Sequence, residues 1–165
     1  MTREKTTTPV RRRRLIGDKM QQMTSDGITI CYNGDAGSEF PLEAITAVIK
    51  GIAHGEDRIR GDITVILADD ELLRQLNREW LGLDTTTDVL SFDLSDDSAD
   101  RAEGEIYVSL DRVHSQAKER CDRPENELLR LIAHGMLHLC GRRHGDDVSL
   151  RRMIDRGEKY VQMVL

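Results

Sequence analysis

The sequence predicts one layered domain of the α/β or α+β class, and three observations carry this prediction. Its 165 residues are 38% hydrophobic and 33% charged, which suits a single domain with a core. Four short β-branched runs alternate with several segments of helical periodicity. No stretch approaches the ~18 consecutive apolar residues of a membrane span, and 13 Gly, 3 Pro and 3 Cys exclude collagen-like and disulfide-framework proteins.

The first half of the chain predicts two strands and two helices. Residues 28–32 form a β-branched run that a turn at 33–35 closes. Pro41 opens a helix whose apolar residues recur at helical spacing up to Ile52. The next strand covers 63–67, and Asp69 and Asp70 then cap a helix that ends by Gly82.

The second half predicts two more strands and three helices. One strand covers 88–92 and leads into an acidic loop at 93–103, and a half-exposed strand follows at 105–110. A short helix covers 111–120. A strongly apolar helix covers 124–140, started either by a capping box of Asp122 and Glu125 or by Pro124, and stopped by Gly141. An amphipathic helix covers 149–163.

Charge and cysteine usage limit the location and the partners. The net charge is −6, although residues 1–20 hold seven Lys/Arg against two acidic residues, so the remainder of the chain is markedly acidic. Any nucleic-acid contact must therefore be local. Residues 1–24 form a basic tail, either disordered or a nucleic-acid arm, and Met20 and Met23 are alternative starts to Met1. We expect one domain over 25–165. Three unpaired cysteines and the lack of a secretory signal predict a reducing, cytoplasmic location.

The segment 134–144 carries the chemistry. It holds three of the five histidines of the chain within eleven residues. His134 and His138 lie one helical turn apart on the same face, and a chain reversal at Gly141 allows His144 to approach the same point. We predict a metal site, because unpartnered imidazoles in so apolar a helix would cost about 1–3 kcal/mol each. Cys140 is assigned to the core, and His54 and His114 are assigned to solvated surfaces.

Three imidazole ligands leave a fourth position for water, which is the arrangement of catalytic zinc sites. The spacing coincides with the zinc frame of metzincin proteases, His-Glu-x-x-His-x-x-Gly-x-x-His. Position 135 is Gly here, so the glutamate base of proteolysis is missing.

Two segments resemble the YbeY family of bacterial rRNA-maturation endoribonucleases. The family signature His-Gly-x-Leu-His-Leu-x-Gly-Tyr-Asp-His is similar to His134-Gly-Met-Leu-His-Leu-Cys-Gly-Arg-Arg-His144. Leu76-Asn77, the run 87–92 (Thr-Asp-Val-Leu-Ser-Phe) and Gly104-Glu105-Ile106 match further family segments in the same order.

The resemblance implies an α+β domain with a mixed four-stranded sheet, about five helices and a metal-binding helix beside a groove. It also implies one Zn²⁺ per chain and a single-strand-specific endoribonuclease that acts in rRNA maturation, including the 3′ end of 16S rRNA, and in ribosome quality control. The expected partners are single-stranded rRNA and the ribosome or its assembly proteins, with no membrane and no dinucleotide.

The remaining candidate residues follow from this comparison. The functional arginine of the family falls on Leu81, for which Arg78 is a substitute candidate. Arg142 and Arg143 replace the Tyr-Asp of the signature and are candidates for holding phosphates. Asp88 is a second catalytic candidate, together with metal-bound water, and Ser91 and Glu105 are candidates for lining the groove, although strand-end capping explains Asp88 and Ser91 equally well. Trp80 either packs or stacks on a base, and Arg151, Arg152 and Arg156 are either solvated or in contact with RNA.

Two rival functions stay open at this point. Leu81 and the acidic body favour a metal-stabilised RNA- or ribosome-binding factor with little nuclease activity. A metal-dependent hydrolase of small molecules or peptides keeps the metal site and changes the substrate.

Overall fold

A computed structural model of the chain describes residues 20–33, 40–95 and 100–165. Within these ranges there are five strands: β1 (Gln21–Ser25), β2 (Ile28–Tyr32), β3 (Ile59–Ala68), β4 (Val89–Asp93) and β5 (Arg101–Ser109). The same ranges contain five α-helices: α1 (Leu42–Gly55), α2 (Asp70–Leu76), α3 (Leu110–Glu119), α4 (Pro124–Leu139) and α5 (Asp147–Gln162). A π-helical turn, Asn77–Leu81, extends α2.

The sheet has five strands in the order β1-β2-β3-β5-β4. The prediction of four strands was therefore wrong by one strand. β2, β3 and β5 are parallel, and the two edge strands β1 and β4 are antiparallel to their neighbours. The sheet is therefore mixed, and the α+β class is confirmed.

Strand β1 is the strand that periodicity did not predict. Its sequence, Gln-Gln-Met-Thr-Ser, is polar except for Met23 and exposed throughout, as suits an edge strand. It pairs with β2 through a two-residue turn in which Asp26 and Gly27 have φ of 50° and 74°. An Asp-Gly pair with both residues at positive φ is a signal for a tight hairpin. Residues 21–24 of the predicted tail therefore lie in the sheet, while 1–19 lie outside the described residues.

Strand β5 corrects a second expectation. It begins at Arg101, inside the predicted acidic loop, and its residues from Ile106 to Ser109 are all buried rather than half exposed. The reason is that both faces of the strand are covered, since Ile106 and Val108 pack in the core on one side of the sheet and Tyr107 packs in a cluster on the other side. Residues 34–35 of the predicted turn and 96–99 of the predicted loop lie outside the described residues.

The two faces of the sheet carry different helices. Helices α1 and α4 pack on one face around Ile63, Val65 and Ile106, and α5 packs against α4 and α1. Helix α2 and the π-helical turn cover part of the other face, around Ile66 and Tyr107. Helix α4 contacts α1, α3, α5, β4 and β5, which explains why its sequence is so apolar.

The ends of the helices follow the predicted signals. Asp69 caps α2 by accepting a hydrogen bond from the Leu72 amide at 2.9 Å, and Gly82, with φ of 70°, ends the π-helical turn. Pro124 lies in the first turn of α4, whose N-cap Arg123 makes no side-chain cap bond, so the proline alternative is correct. Within the described ranges, no helix combines the length and the hydropathy that a bilayer span requires.

Candidate metal centre

Helix α4 holds two of the three histidines rigidly. His134 and His138 lie one turn apart, and their Nε2 atoms approach within 3.2 Å. The helix is buried on most of its surface, whereas these two imidazoles are only half-buried and face an open side. The predicted common face of the two histidines is confirmed.

The third histidine comes from the chain reversal that follows α4. Gly141 has φ of 89°, and the amides of Gly141 and Arg142 donate to the carbonyls of His138 and Leu137 at 2.9 Å each. This left-handed stop satisfies the last carbonyls of the helix and turns the chain back. As a result, the exposed His144 ring lies 5.4 Å from that of His134 and 5.2 Å from that of His138, measured between ring centroids.

The three imidazoles converge on one point. One ring nitrogen from each histidine lies within 4.8 Å of the others. Nitrogens bound to one zinc ion at ~2.0–2.1 Å are separated by less than twice that distance, so a small adjustment of the exposed His144 suffices for coordination. The donor set and its spacing therefore fit a divalent metal ion.

A hydrogen bond fixes the tautomer of His138. Its Nδ1 lies 3.0 Å from the main-chain carbonyl oxygen of Arg142. A carbonyl oxygen only accepts, so Nδ1 carries the proton and Nε2 presents its lone pair towards His134. Metal-ligating histidines commonly donate their second ring nitrogen in this way.

The local environment favours the neutral forms of His134 and His138. Burial lowers the pKa of His138 to about 4, the neighbouring His134 acts in the same direction, and the bond to Arg142 opposes them. Burial also lowers the pKa of His134, with a further lowering by His144, while the carboxylate of Asp88 opposes it. His138 therefore needs no deprotonation at pH 7 before it binds a metal ion.

The glycine at position 135 has a steric cause. A Cβ there would lie 2.7 Å from Cγ2 of Ile106 and 2.9 Å from Oγ of Ser91. The Ser91 hydroxyl also donates to the Gly135 carbonyl at 3.1 Å. Helix α4 thus packs so closely on β4 and β5 that a glutamate at this position has no room.

Comparison with known proteins agrees with this geometry. The sequence model of the family described as Endoribonuclease YbeY matches residues 35–164. The chain belongs to the YbeY family.

Individual relatives match most of the chain. Endoribonuclease YbeY of Flavobacterium johnsoniae is 35% identical over 129 residues, which cover 76% of this chain and 91% of the relative. The Carboxydothermus hydrogenoformans protein of the same name is 36% identical, over 73% of this chain and 83% of its own. The solution structure of TM1509 from Thermotoga maritima has a TM-score of 0.57 and 32% identity, and the match covers 83% of this chain and 88% of that one.

The structure brings some of the other YbeY-derived candidates to the histidines. Asp88 precedes β4 and accepts a hydrogen bond from Gln116 at 3.1 Å. Its negative charge acts to raise the pKa of His134. Ser91 lies on the sheet face that packs against α4. Asp88 and Ser91 are thus on the histidine side of the sheet, and Ser91 is engaged by the helix backbone.

Other candidates lie on the opposite face. Glu105 alternates with Ile106 and accepts a hydrogen bond from Tyr107 at 3.1 Å, so it is turned away from α4. Arg78 is exposed on the π-helical turn, and the hydrogen bonds of the described residues do not join it to a histidine. Trp80 packs with Phe92, with ring centroids 6.4 Å apart, and Leu81 is 53% exposed. The structure does not bring Glu105 or Arg78 to the site.

Arg142 and Arg143 lie near the three histidines because they belong to the chain reversal that joins His138 to His144. Nε of Arg142 donates to the Glu56 carboxylate at 2.8 Å. Nη1 of Arg143 donates to the carbonyls of His138 and Arg142 at 2.7 Å each. Arg143 therefore caps the end of α4 and reinforces the carbonyl that orients His138.

Sequence reasoning missed Glu56. Its side chain is 3% exposed and also binds Arg156 and the Tyr160 hydroxyl, the latter at 2.9 Å. Burial acts to raise the pKa of Glu56, but the donors Arg156, Arg142 and Tyr160 outweigh it and hold the pKa below its usual value. The polar stretch His-Gly-Glu-Asp at 54–57 resembles any helix end, so no local signal marks this carboxylate.

Proposed function

We propose that this chain is a zinc-dependent endoribonuclease that cleaves single-stranded RNA in the cytoplasm. Its proposed role is rRNA maturation, including the 3′ end of 16S rRNA, and ribosome quality control, with the ribosome or its assembly proteins as partners. The observation that carries the proposal is the convergence of His134, His138 and His144, with the tautomer of His138 already fixed for coordination. Membership of the YbeY family supplies the choice of an RNA phosphodiester as the bond that is cleaved.

His134, His138 and His144 would hold the metal ion. A zinc ion held there would supply Lewis acidity towards a phosphoryl oxygen and towards water. The bound ion supplies this chemistry, and the residues of the chain supply orientation and charge.

Each nearby residue has a proposed part. Asp88 is the acid–base candidate, since its carboxylate lies close enough to affect the pKa of His134. Arg142 and Arg143 attract the phosphodiester, because a guanidinium offers several donors and each of these arginines uses only part of them internally. Ser91 positions helix α4 rather than substrate. Arg78 and Glu105 are weaker candidates because of their place on the other face.

One observation favours a second candidate function. Leu81 is exposed where the family has an arginine that would stabilise phosphoryl charge, and leucine cannot do so. A metal-stabilised RNA- or ribosome-binding factor with little nuclease activity would tolerate this substitution.

A cleavage assay separates these functions. The protein is stripped with EDTA, reloaded with Zn²⁺, and incubated with a labelled 20-nucleotide single-stranded RNA or with its duplex. We expect cleavage of the single strand only, lost in His138→Ala and kept in the control His54→Ala, which changes an exposed histidine outside the site. Binding without cleavage supports the second candidate, and neither binding nor cleavage points to a hydrolase of other substrates.

The cellular role has its own test. In cells whose only copy carries His138→Ala, we expect 16S rRNA with an extended 3′ end. Normal 3′ ends in these cells would contradict the maturation role while leaving the RNA cleavage proposal intact.

A further inference from the structure

A second cationic feature lies beside the metal centre. A concavity of about 480 Å³ opens between the chain reversal after α4 and helix α5. Five of its eight lining residues are basic: Arg142, Arg143, Arg152, Arg156 and Lys159. Asp155 is the single acidic residue of the lining. We call this concavity the basic pocket, and it stands out on a chain whose net charge is −6.

Two of its guanidinium groups are fixed in advance. Arg142 and Arg156 both donate to the buried carboxylate of Glu56, one to each oxygen. Because these side chains are already ordered, a ligand that binds them does not have to immobilise them first. Both arginines line the pocket and bind Glu56 through Nε, so each guanidinium keeps further N–H donors for ligand oxygens.

The other two α5 cations of the pocket lining, Arg152 and Lys159, have no partner in the part of the chain that the structure describes. Among the described residues, the side chains of Arg152 and Lys159 form neither a hydrogen bond nor an ion pair. Arg152, Arg156 and Lys159 are spaced i, i+4 and i+7, so they form one stripe about 10 Å long on the helix. A stripe of this length suits an extended polyanion better than one small anion.

The basic pocket is continuous with the metal centre. The main-chain carbonyl of Arg142 orients His138, and the Arg143 side chain binds the carbonyl of His138. The same two residues line the pocket with their side chains. A single strand of nucleic acid bound at the metal centre would therefore place its neighbouring nucleotides beside the pocket.

We propose that the basic pocket binds backbone phosphates of single-stranded RNA that flank the phosphate to be cleaved. This inference rests on the proposed function for the choice of RNA. Arg142 and Arg143 stand where the YbeY signature has Tyr-Asp, so the two cations on this side of the pocket are a departure of this chain from the family signature. The pocket reads charge and not base sequence, because its lining offers guanidinium and ammonium donors but no aromatic platform.

A matched pair of double variants tests the pocket. Arg152→Ala with Lys159→Ala removes the two unpaired cations of the lining. Arg151→Ala with Lys118→Ala removes the same charge from exposed positions outside it. Affinity is measured with zinc-loaded protein by fluorescence anisotropy, using a fluorescein-labelled 2′-O-methyl 20-mer whose integrity is checked by gel electrophoresis after each titration.

We expect the pocket variant to bind the probe about tenfold more weakly than the control variant. The slope of log K against log salt should fall by about 1.4, at ~0.7 for each phosphate contact that is lost on a single strand. In cleavage assays, KM for a 20-mer RNA rises about tenfold in the pocket variant with kcat unchanged, while a dinucleotide, which has no phosphate flanking the cleaved one, does not distinguish the two variants.

Equal affinity and equal salt slope in the two variants overturn the inference, as does a wild-type protein that does not bind the probe. If the wild-type protein binds RNA without cleaving it, the nuclease proposal fails, and the anisotropy comparison still decides whether the pocket holds the strand. If cleavage is intact and the variants bind alike, the pocket fails and the nuclease proposal stands.

Discussion

The main-chain carbonyl of Arg142 lies 3.0 Å from Nδ1 of His138, and the side chain of the same arginine binds Glu56. One residue therefore links the orientation of a metal ligand to a buried carboxylate at the end of α1. The linkage is indirect, because the Glu56 side chain bonds Arg142, Arg156 and Tyr160 rather than His134, His138 or His144, and it makes Glu56 a positioning residue.

Replacing Glu56 with Gln should weaken both folding and metal binding. The neutral amide leaves Arg142 and Arg156 without their counter-charge, and we expect a loss of about 1–3 kcal/mol in the free energy of unfolding, since both arginines are partly exposed. Zinc affinity should fall about tenfold, as is typical when a ligand loses its orienting partner. Urea unfolding and competitive zinc titration measure these effects, with the exposed Glu119→Gln as control. Unchanged zinc affinity in a destabilised Glu56→Gln protein would reduce Glu56 to a purely structural role.

The metal-free protein should lose stability as the pH falls from about 6.5 to about 4. His138 has a pKa of about 4 in the folded chain, and an unfolded histidine titrates near 6.5. Between these values the unfolded state binds more protons, so acidification favours unfolding. Urea midpoints in EDTA at pH 7.5, 6 and 5 should decline less steeply in His138→Gln than in the wild type. Identical pH profiles for the two proteins would show that His138 does not titrate in this way.

Adding one methyl group at position 135 should be destabilising. Gly135→Ala brings Cβ into contact with Ile106 and Ser91, and overpacking of this kind costs about 1–3 kcal/mol. Gly51→Ala in α1 is the matched control, because no atom of the described residues outside its own stretch of helix lies within 4 Å of the added Cβ, and it should stabilise the helix by about 0.5–1 kcal/mol. Thermal unfolding measures both changes. A Gly135→Ala protein as stable as the wild type would mean that α4 shifts freely against the sheet.

Restoring the family arginine should raise the rate of cleavage. Leu81 is 53% exposed, so Leu81→Arg buries no charge and should fold normally. If position 81 serves phosphoryl-charge stabilisation as in the family, kcat/KM for single-stranded RNA should rise about tenfold. Leu83→Arg, at a leucine that is 54% exposed, controls for the added charge. Equal rates in the two variants would remove position 81 from the chemistry of this chain.

The cluster of His134, His138 and His144 could be predicted from the sequence because its geometry is local. His134 and His138 share a helix face by spacing alone, and Gly141 marks the reversal that returns His144. The strands were found wherever β-branched residues alternate. Strand β1 was not predicted, because all of its side chains are exposed and no alternation of apolar and polar residues marks it. The Asp26-Gly27 pair was the one local signal of its hairpin.

Features that depend on distant pairing were not predictable. Glu56 meets Arg142 and Arg156 across 86 and 100 residues of sequence. Glu105 was placed beside the metal because it is near matching residues in the chain, but the alternation of β5 sends it to the other face. The steric reason for Gly135 also required the sheet, since the atoms that exclude a side chain belong to β4 and β5.

The polar hairpin strand β1 has a consequence for how copies of this protein behave in solution. It covers the outer backbone of β2, whose Ile-Thr-Ile-Cys-Tyr run is rich in β-branched and aromatic residues of the sort that recruit foreign strands. Because β1 forms the outer edge of the sheet and its glutamine, threonine and serine side chains are exposed to water, an edge that would favour pairing with other chains is replaced by a hydrated one. The five residues of β1 therefore limit self-association although they lie outside the hydrophobic core.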